Sequence, residues 1–419
     1  MNQRLKKNVV SLSLLQCGQY LIPLIILPHL TRVLGVEGFG QFGLALAITL
    51  YLVLVVEWGF NISSTREVSI YRHDKRSRSV VFWETVTARF FLTLLIIFLL
   101  LVLVSIFPNL GNLSGLLWLV MLQVLSATLS TSFYFQGIEK VGQMALINLS
   151  IRLLSVPLIL IFVRHEDQVA LAFGIQTGCF LLASLVNLAM LLTQGQIVWL
   201  RPYCLGVKKA LLSGFPLFLS SVGTSLYTNT NVIILGFLTT EAVVGIFVAG
   251  FTLVRAVVGL SGPVAQAIFP RASREFSAGD GMPTAFVKRM LWMQVLLGLL
   301  LSLALLVFLP WGVTWFFGDA FQETVKVVAW LCVLPLVVCV ASGLGLNILV
   351  PLGQHRWYAN VLIISGLLNC LLLTLMVYFW GAVGAAIAVL MTECVIMCGM
   401  AVGVKKLAPK VWQGLFTRP

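Results

Sequence analysis

Charge is scarce in this chain: Asp, Glu, Lys and Arg make up 10% of 419 residues, while 60% are hydrophobic. Soluble globular domains are about a quarter charged and about half apolar, so the composition excludes one and indicates a polytopic membrane protein. Catalytic signatures are also lacking. No Gly-x-Ser-x-Gly elbow, Walker loop or His-Glu-x-x-His motif occurs, and the four histidines, His29, His73, His165 and His355, are dispersed in or beside loops. The eight cysteines form no CxxC pair. Cys394 and Cys398, one helical turn apart, read as packing residues. No cofactor and no metal is expected, and without a basic soluble surface no nucleic-acid partner is expected either.

Long apolar runs are what the chain does have. A helix needs about 20 mainly apolar residues to cross the hydrocarbon core. Breaks at charge and Gly/Pro clusters predict twelve spans, at about 8–30, 39–62, 80–107, 113–135, 144–163, 169–193, 210–238, 243–268, 287–309, 324–350, 358–379 and 382–404. The basic start, Arg4, Lys6 and Lys7, resembles that of a signal peptide. The apolar segment after it is too long, however, and Gln16, Gln19, Pro23 and Pro28 interrupt it without a small-residue cleavage pattern. It reads as a retained first span. The sequons at Asn61, Asn112 and Asn148 fall at or near span ends and read as chance matches.

Placing both termini in the cytoplasm puts 21 of the 27 Lys and Arg residues on that side, with only Arg32, Arg164 and Lys326 outside. The net charge of +13 then reflects topology and attraction to anionic membrane lipids.

The halves resemble each other. Ser64-Thr65-Arg66-Glu67-Val68-Ser69 recurs as Ala272-Ser273-Arg274-Glu275-Phe276-Ser277. Leu34-Gly35 with Gly40-Gln41-Phe42 recurs as Leu235-Gly236 with Gly245-Ile246-Phe247, and Gly137-Ile138-Glu139-Lys140 as Gly353-Gln354-His355-Arg356. Six spans per half give both copies the same direction. The expectation is two six-helix lobes, 1–200 and 201–419, related by a pseudo-twofold axis along the membrane normal, with a central site.

The remaining three basic residues, Arg89, Arg152 and Arg255, lie inside spans. An arginine at bilayer depth costs at least ~2.5–3.5 kcal/mol, so such residues face a bundle interior or a wet cavity. Arg89 and Glu57 lie at similar depth, which allows either a structural ion pair or a cavity role. Arg152 has no acid in its own span and either snorkels to the surface or lines a cavity. Arg255, near the middle of its span, is too deep to snorkel. It either pairs with Glu393 or faces the cavity while Glu393 takes up and releases a proton. Asn229 and Asn231 either bond sugar hydroxyls or bond another helix. Pro157, Pro216, Pro263 and Pro335 loosen helices in a way that suits movement.

The stretch Leu27-Pro28-His29-Leu30-Thr31-Arg32-Val33-Leu34-Gly35, running into Gly38-Phe39-Gly40, resembles the first loop of bacterial polysaccharide flippases of the Wzx (RfbX-like) type. Glu57-Trp58-Gly59-Phe60-Asn61 and Phe135-Gln136-Gly137-Ile138-Glu139-Lys140 are similar to further stretches of that family, and the resemblance covers the whole chain. It implies the fold of the multidrug/oligosaccharidyl-lipid/polysaccharide exporter superfamily. It also implies translocation of an undecaprenyl-pyrophosphate-linked glycan across the bacterial inner membrane by alternating access, coupled to H⁺ or Na⁺, alongside polysaccharide polymerase machinery. The cationic cavity of that family is matched here by Arg255, Arg89 and Arg152, with Asn229 and Asn231, and the acids are Glu393 and Glu57. Two alternatives stand beside it. A cation-coupled exporter of small molecules favours an acidic cavity, and a membrane glycan polymerase or ligase, an enzyme, carries a large periplasmic loop that this chain lacks.

Overall fold

The structure is a computed structural model that describes residues 3–106, 114–277 and 284–416. Asn112, residues 278–283 and Arg418 lie outside the described residues, as do the side chains of Arg4, Lys6, Lys7, Gln16 and Gln19.

The described chain is helical nearly throughout and contains no strand. The first half comprises α1 (Gln3–Glu57), α2 (Phe60–Ile70), α3 (Lys75–Ile106), α4 (Ser114–Thr128), α5 (Ser132–Gly137), α6 (Val141–Phe162) and α7 (Val169–Thr193). The second comprises α8 (Cys204–Thr228), α9 (Thr230–Leu238), α10 (Glu241–Gly259), α11 (Gly262–Ser277), α12 (Thr284–Phe317), α13 (Gln322–Leu331), α14 (Leu334–Leu344), α15 (His355–Leu407) and α16 (Pro409–Phe416). A π-helical turn, Gly345–Leu349, follows α14.

Ten segments among the described residues are long and apolar enough to cross a membrane. Two of them, Ile22–Ile70 with 49 residues and His355–Leu407 with 53, would run about 74 and 80 Å as straight helices, against ~30 Å of hydrocarbon. Each is broken at a left-handed glycine, Gly35 (φ 65°) and Gly381 (φ 51°), and so has length for two passes. The fold is all-α and polytopic, as the composition requires. Outward faces carry large apolar side chains such as Phe90, Phe91, Leu94 and Phe98, and Tyr378, Phe379 and Trp380 are exposed just before the Gly381 break, where interfacial aromatics belong.

Contacts gather the chain into two units, Met1–Leu34 with Gln41–Val222, and Gly35–Gly40 with Gly223–Pro419. The first therefore runs past residue 200, because the start of α8 is pinned to the break between α1 and α2. There Trp58 (φ 44°) and Gly59 (φ 77°) are both left-handed. Trp58 Nε1 donates to Leu211 O at 3.0 Å, and its ring stacks on Phe218 with centroids 4.3 Å apart. A Cβ on Gly59 would lie 2.6 Å from Gly214 O, so only glycine lets the two backbones meet. Phe133, Tyr134 and Phe135 of α5, together with Phe82 and Val68, form a wholly buried core beside this break.

Two of the three sequence repeats fall at similar local structures, with shifted pairings. Within the second unit the stretch Val36–Gly40 lies on α10: a Cβ on Gly40 would strike Glu241 O, and one on Gly245 would strike Val36 O. Val36 matches Glu241, Gly40 matches Gly245 and Phe42 matches Phe247, all at one offset. That offset corrects the proposed match of Gly35 with Gly236. Gly236 is helical within α9, and the residue matching Gly35 is Thr240, extended at φ −83° and ψ 160°. The turn after α5 has Glu139 at φ 58° and Lys140 N donating to Phe135 O at 2.9 Å. The turn before α15 has Gly353 at φ 77° and Gln354 N donating to Leu349 O, also at 2.9 Å. Both are Schellman-type helix ends, and they align Glu139 with Gly353 rather than with His355.

Candidate functional site: an accessible polar stripe on α10

Helix α10 is enclosed on most sides, with Val244, Phe247, Phe251 and Val254 among its buried residues. Its accessible stripe carries Val248, Thr252, Arg255 and Gly259, and Arg255 is exposed. Helical spacing of three or four residues puts these four on one face. A lipid-facing stripe carries Leu and Phe, as α3 does; this one carries a valine, a glycine, a threonine hydroxyl and a cation. It suits an aqueous ligand.

The helix carrying Asn229 breaks at that residue, which is non-helical at φ −122° and ψ −15° and starts α9. The break presents the Asn229 side chain to Arg255, whose Nη1 donates to Asn229 Oδ1 at 3.2 Å. The Arg255 guanidinium carbon lies 5.4 Å from the centre of the Phe251 ring, a cation–π contact. Glu393 of α15, half-buried, lies within electrostatic range of both Arg255 and Tyr358. Arg255, Asn229 and Glu393 thus share one neighbourhood, with charge of both signs.

Behind them runs a buried hydrogen-bond chain that sequence reading missed. Asn369 Nδ2 donates to Asn231 Oδ1 at 2.9 Å, Thr392 Oγ1 donates to Asn369 Oδ1 at 2.9 Å, and all three side chains are buried. Asn231 lies two residues from Asn229, and Thr392 precedes Glu393, so the chain fixes the helices that present both. Polar residues inside the last two predicted spans were the available signal. Asn231 is therefore enclosed against another helix rather than open to a ligand.

Arg89 is enclosed rather than open to a cavity, and Glu57 lies within electrostatic range of it without a direct ion pair. Arg89 is fully buried in the first unit. Nη1 donates to Ser130 O at 2.7 Å and Ala127 O at 3.4 Å, and Nη2 donates to Asn61 Oδ1 at 3.1 Å. Residues 129–131 interrupt the helix between α4 and α5; Ser130 O is left without a backbone donor and the guanidinium caps it, while Ala127 O also accepts Ser130 N at 3.1 Å. The ion pairs found among the described residues are Arg72–Glu139, Lys209–Glu67, Arg271–Glu275 and Lys326–Glu323; Arg89–Glu57 is not among them. Two sequon asparagines are also committed internally, Asn61 to Arg89 and Asn148 to Asn187. Arg152 is half-buried and stacks on Phe180, 4.7 Å from the ring centre. Among the described residues no group of three or more His, Cys, Asp or Glu is placed to hold a metal ion.

Comparison with known proteins bears on the family and the fold. A "Putative O-antigen transporter" of Escherichia coli strain K12 is 30% identical over 392 residues, covering 94% of this chain and 94% of that protein. One of the same name from Shigella dysenteriae is 26% identical over 408 residues, covering 96% and 100%. Among solved structures, an inward-facing multidrug resistance MATE family transporter of the MOP superfamily matches with TM-score 0.69 and 14% identity, over 98% of this chain and 100% of that one. The lipid II flippase MurJ matches with TM-score 0.66 and 15% identity, over 97% and 90%. At such identities the likeness is one of fold, and it is the fold that the sequence resemblance implied. The relatives are named as transporters and a flippase, not as enzymes. A family model described as polysaccharide biosynthesis protein matches residues 5–276, well over half of the sequence, and the chain belongs to that family.

Proposed function

We propose that this protein moves an undecaprenyl-pyrophosphate-linked oligosaccharide from the cytoplasmic to the periplasmic leaflet of a bacterial inner membrane. The movement is by alternating access of an N-terminal and a C-terminal half, with both termini in the cytoplasm. The observation that carries this reading is Arg255: a cation at mid-span, on an accessible polar stripe, beside a helix break that presents Asn229. Discontinuous helices at mid-membrane are where transporters bind ions and substrates. An exposed guanidinium with a fork of donors suits a phosphoryl oxygen. Glu393, within electrostatic range of Arg255, is the acid through which the movement would be coupled to an ion gradient, H⁺ or Na⁺. The family and the names of the curated relatives support the substrate class, and the cationic character of the stripe favours it over a small cationic drug.

Arg255→Ala is expected to abolish surface glycan while leaving protein levels intact, and Arg255→Lys to retain part of the activity. Normal glycan display in the alanine variant would contradict the proposal.

A further inference from the structure

Each half interrupts a helix at the same place. With Glu139 aligned on Gly353, the interruption at residues 129–131 falls on residues 343–345, where α14 gives way to the π-helical turn Gly345–Leu349. Such turns inside helices frequently mark functional sites. In the first half a built-in cation meets the interruption. The Arg89 guanidinium lies on Ser130 O and Asn61 Oδ1, with the Phe60 and Phe133 ring centres 5.9 and 5.0 Å from its central carbon. It makes no ion pair among the described residues. A cation on neutral oxygens is therefore already part of this fold.

The second half meets its interruption with neutral groups. Gln294 of α12 lies against Gly343, where a Cβ would strike its Oε1, and the Tyr358 ring lies against Gly345. Gln294 is buried with Oε1 unbonded, and Asn347, one turn beyond Gly343, is wholly buried with neither amide atom bonded. The backbone adds two more oxygens. Val350 N, the helical donor due to Leu346 O, goes to Gly345 O at 3.1 Å. The donor due to Asn347 O would come from Pro351, which has no N–H, and Leu352 N goes to Ile348 O at 3.1 Å. Gln294 Oε1, Asn347 Oδ1 and the Leu346 and Asn347 carbonyls thus gather at one turn with a single unbonded amide nitrogen. Buried polar groups in native proteins are paired. With acceptors in the majority, the partner that pairs these is electropositive.

We propose that the turn Gly345–Leu349, together with Gln294, binds an alkali-metal ion on neutral oxygens, and that this ion does for the second half what the Arg89 guanidinium does for the first. Carbonyl oxygens hold such ions without a carboxylate, as in channel filters. The site is enclosed by Leu344, Ile348, Leu349 and Met400. It uses neither Arg255 nor Glu393, and its ion holds the fold together rather than being carried.

The test titrates the purified full chain in detergent with NaCl or KCl and reads the thermal unfolding midpoint, which gives an apparent affinity. Ionic strength is held constant with N-methylglucamine chloride, whose cation is too large to enter a helix turn. The midpoint should rise saturably with Na⁺ or K⁺, and the ion of higher affinity is the occupant. Gln294→Met, similar in size but without the oxygen, should weaken the affinity about tenfold. Asn347→Asp should tighten it, Asn347→Leu should abolish the response, and Glu393→Gln should keep it in full. No saturable rise with either ion overturns the proposal. So does an Asn347→Leu chain more stable than the parent in every salt, because an apolar group in place of a bare buried amide stabilises. A response lost in Glu393→Gln but intact in Asn347→Leu and Gln294→Met places the ion at Glu393 and overturns it too. If Asn347→Leu does not fold, Gln294→Met and Asn347→Asp decide, and unchanged affinity in both overturns the proposal.

Discussion

Replacing Arg89 by leucine should unfold the first unit more readily rather than blunt recognition. The side chain is fully buried and supplies hydrogen bonds of 2.7 Å to Ser130 O and 3.1 Å to Asn61 Oδ1, with a longer one of 3.4 Å to Ala127 O. Bonds from a charged donor contribute ~1.5–3 kcal/mol each in soluble proteins, and polar contacts between membrane helices average nearer ~0.6 kcal/mol. Ser130 O at the break between α4 and α5 has no backbone donor to fall back on, whereas Ala127 O already accepts Ser130 N at 3.1 Å, so the higher figure applies to Ser130 and the lower one to Asn61. About 3 kcal/mol is expected for Arg89→Leu. Arg89→Lys should recover less than half of this, since one ammonium cannot span the acceptors as the planar fork does. Reversible denaturant unfolding in mixed micelles, with Arg255→Ala as the comparison, reads the difference directly. Arg255→Ala should lie within about 0.5 kcal/mol of the parent, as exposed substitutions do. An Arg89→Leu variant as stable as the parent yet unable to export glycan would refute the structural role and return Arg89 to the cavity.

Further outcomes follow from single contacts. Gly353→Ala should cost about 1–2 kcal/mol, because alanine is strained at φ 77°. Glu139→Gly should raise the unfolding midpoint slightly, since relief of a non-glycine φ of 58° outweighs a 2.7 Å surface ion pair to Arg72. Trp58→Phe should lose about 1 kcal/mol with the Leu211 hydrogen bond while keeping the stack on Phe218; an unchanged midpoint would show that the indole N–H contributes nothing. Asn369→Leu should lower glycan display without touching Arg255, by releasing Asn231 and Thr392, and Asn369→Asp should act less severely; normal display in the leucine variant would sever that chain from function.

Much of the fold was legible because a bilayer imposes one rule. Backbone groups in lipid must be satisfied within a helix, so apolar run length alone located spans such as Val169–Thr193. The breaks were less legible. Nothing in the local pattern around Trp58 or Asn229 announces a helix interruption, because the stabilising partners, Leu211 and Phe218 for one and Arg255 for the other, lie far along the chain. The same distance hid the fate of Arg89. Depth suggested Glu57 as its partner, whereas the strongest acceptor is a backbone carbonyl at Ser130, and a carbonyl has no signature in sequence. Glu139 was legible as part of a repeated loop but not as its left-handed residue, since its counterpart carries glycine there. The resemblance singled out Trp-Gly-Phe and Phe-Gln-Gly-Ile-Glu-Lys stretches, and each contains a strained turn together with a glycine that permits close backbone or side-chain approach.

The most direct measurement is translocation itself. The purified chain would be reconstituted into liposomes carrying an undecaprenyl-pyrophosphate-linked oligosaccharide in both leaflets, and an impermeant sugar-oxidising reagent would report the exposed fraction over time. The account predicts that the protected pool becomes accessible with the native chain and stays protected with Arg255→Ala, while Arg255→Lys gives an intermediate rate. Equal rates for the native chain and Arg255→Ala, or no movement above protein-free liposomes, would contradict it.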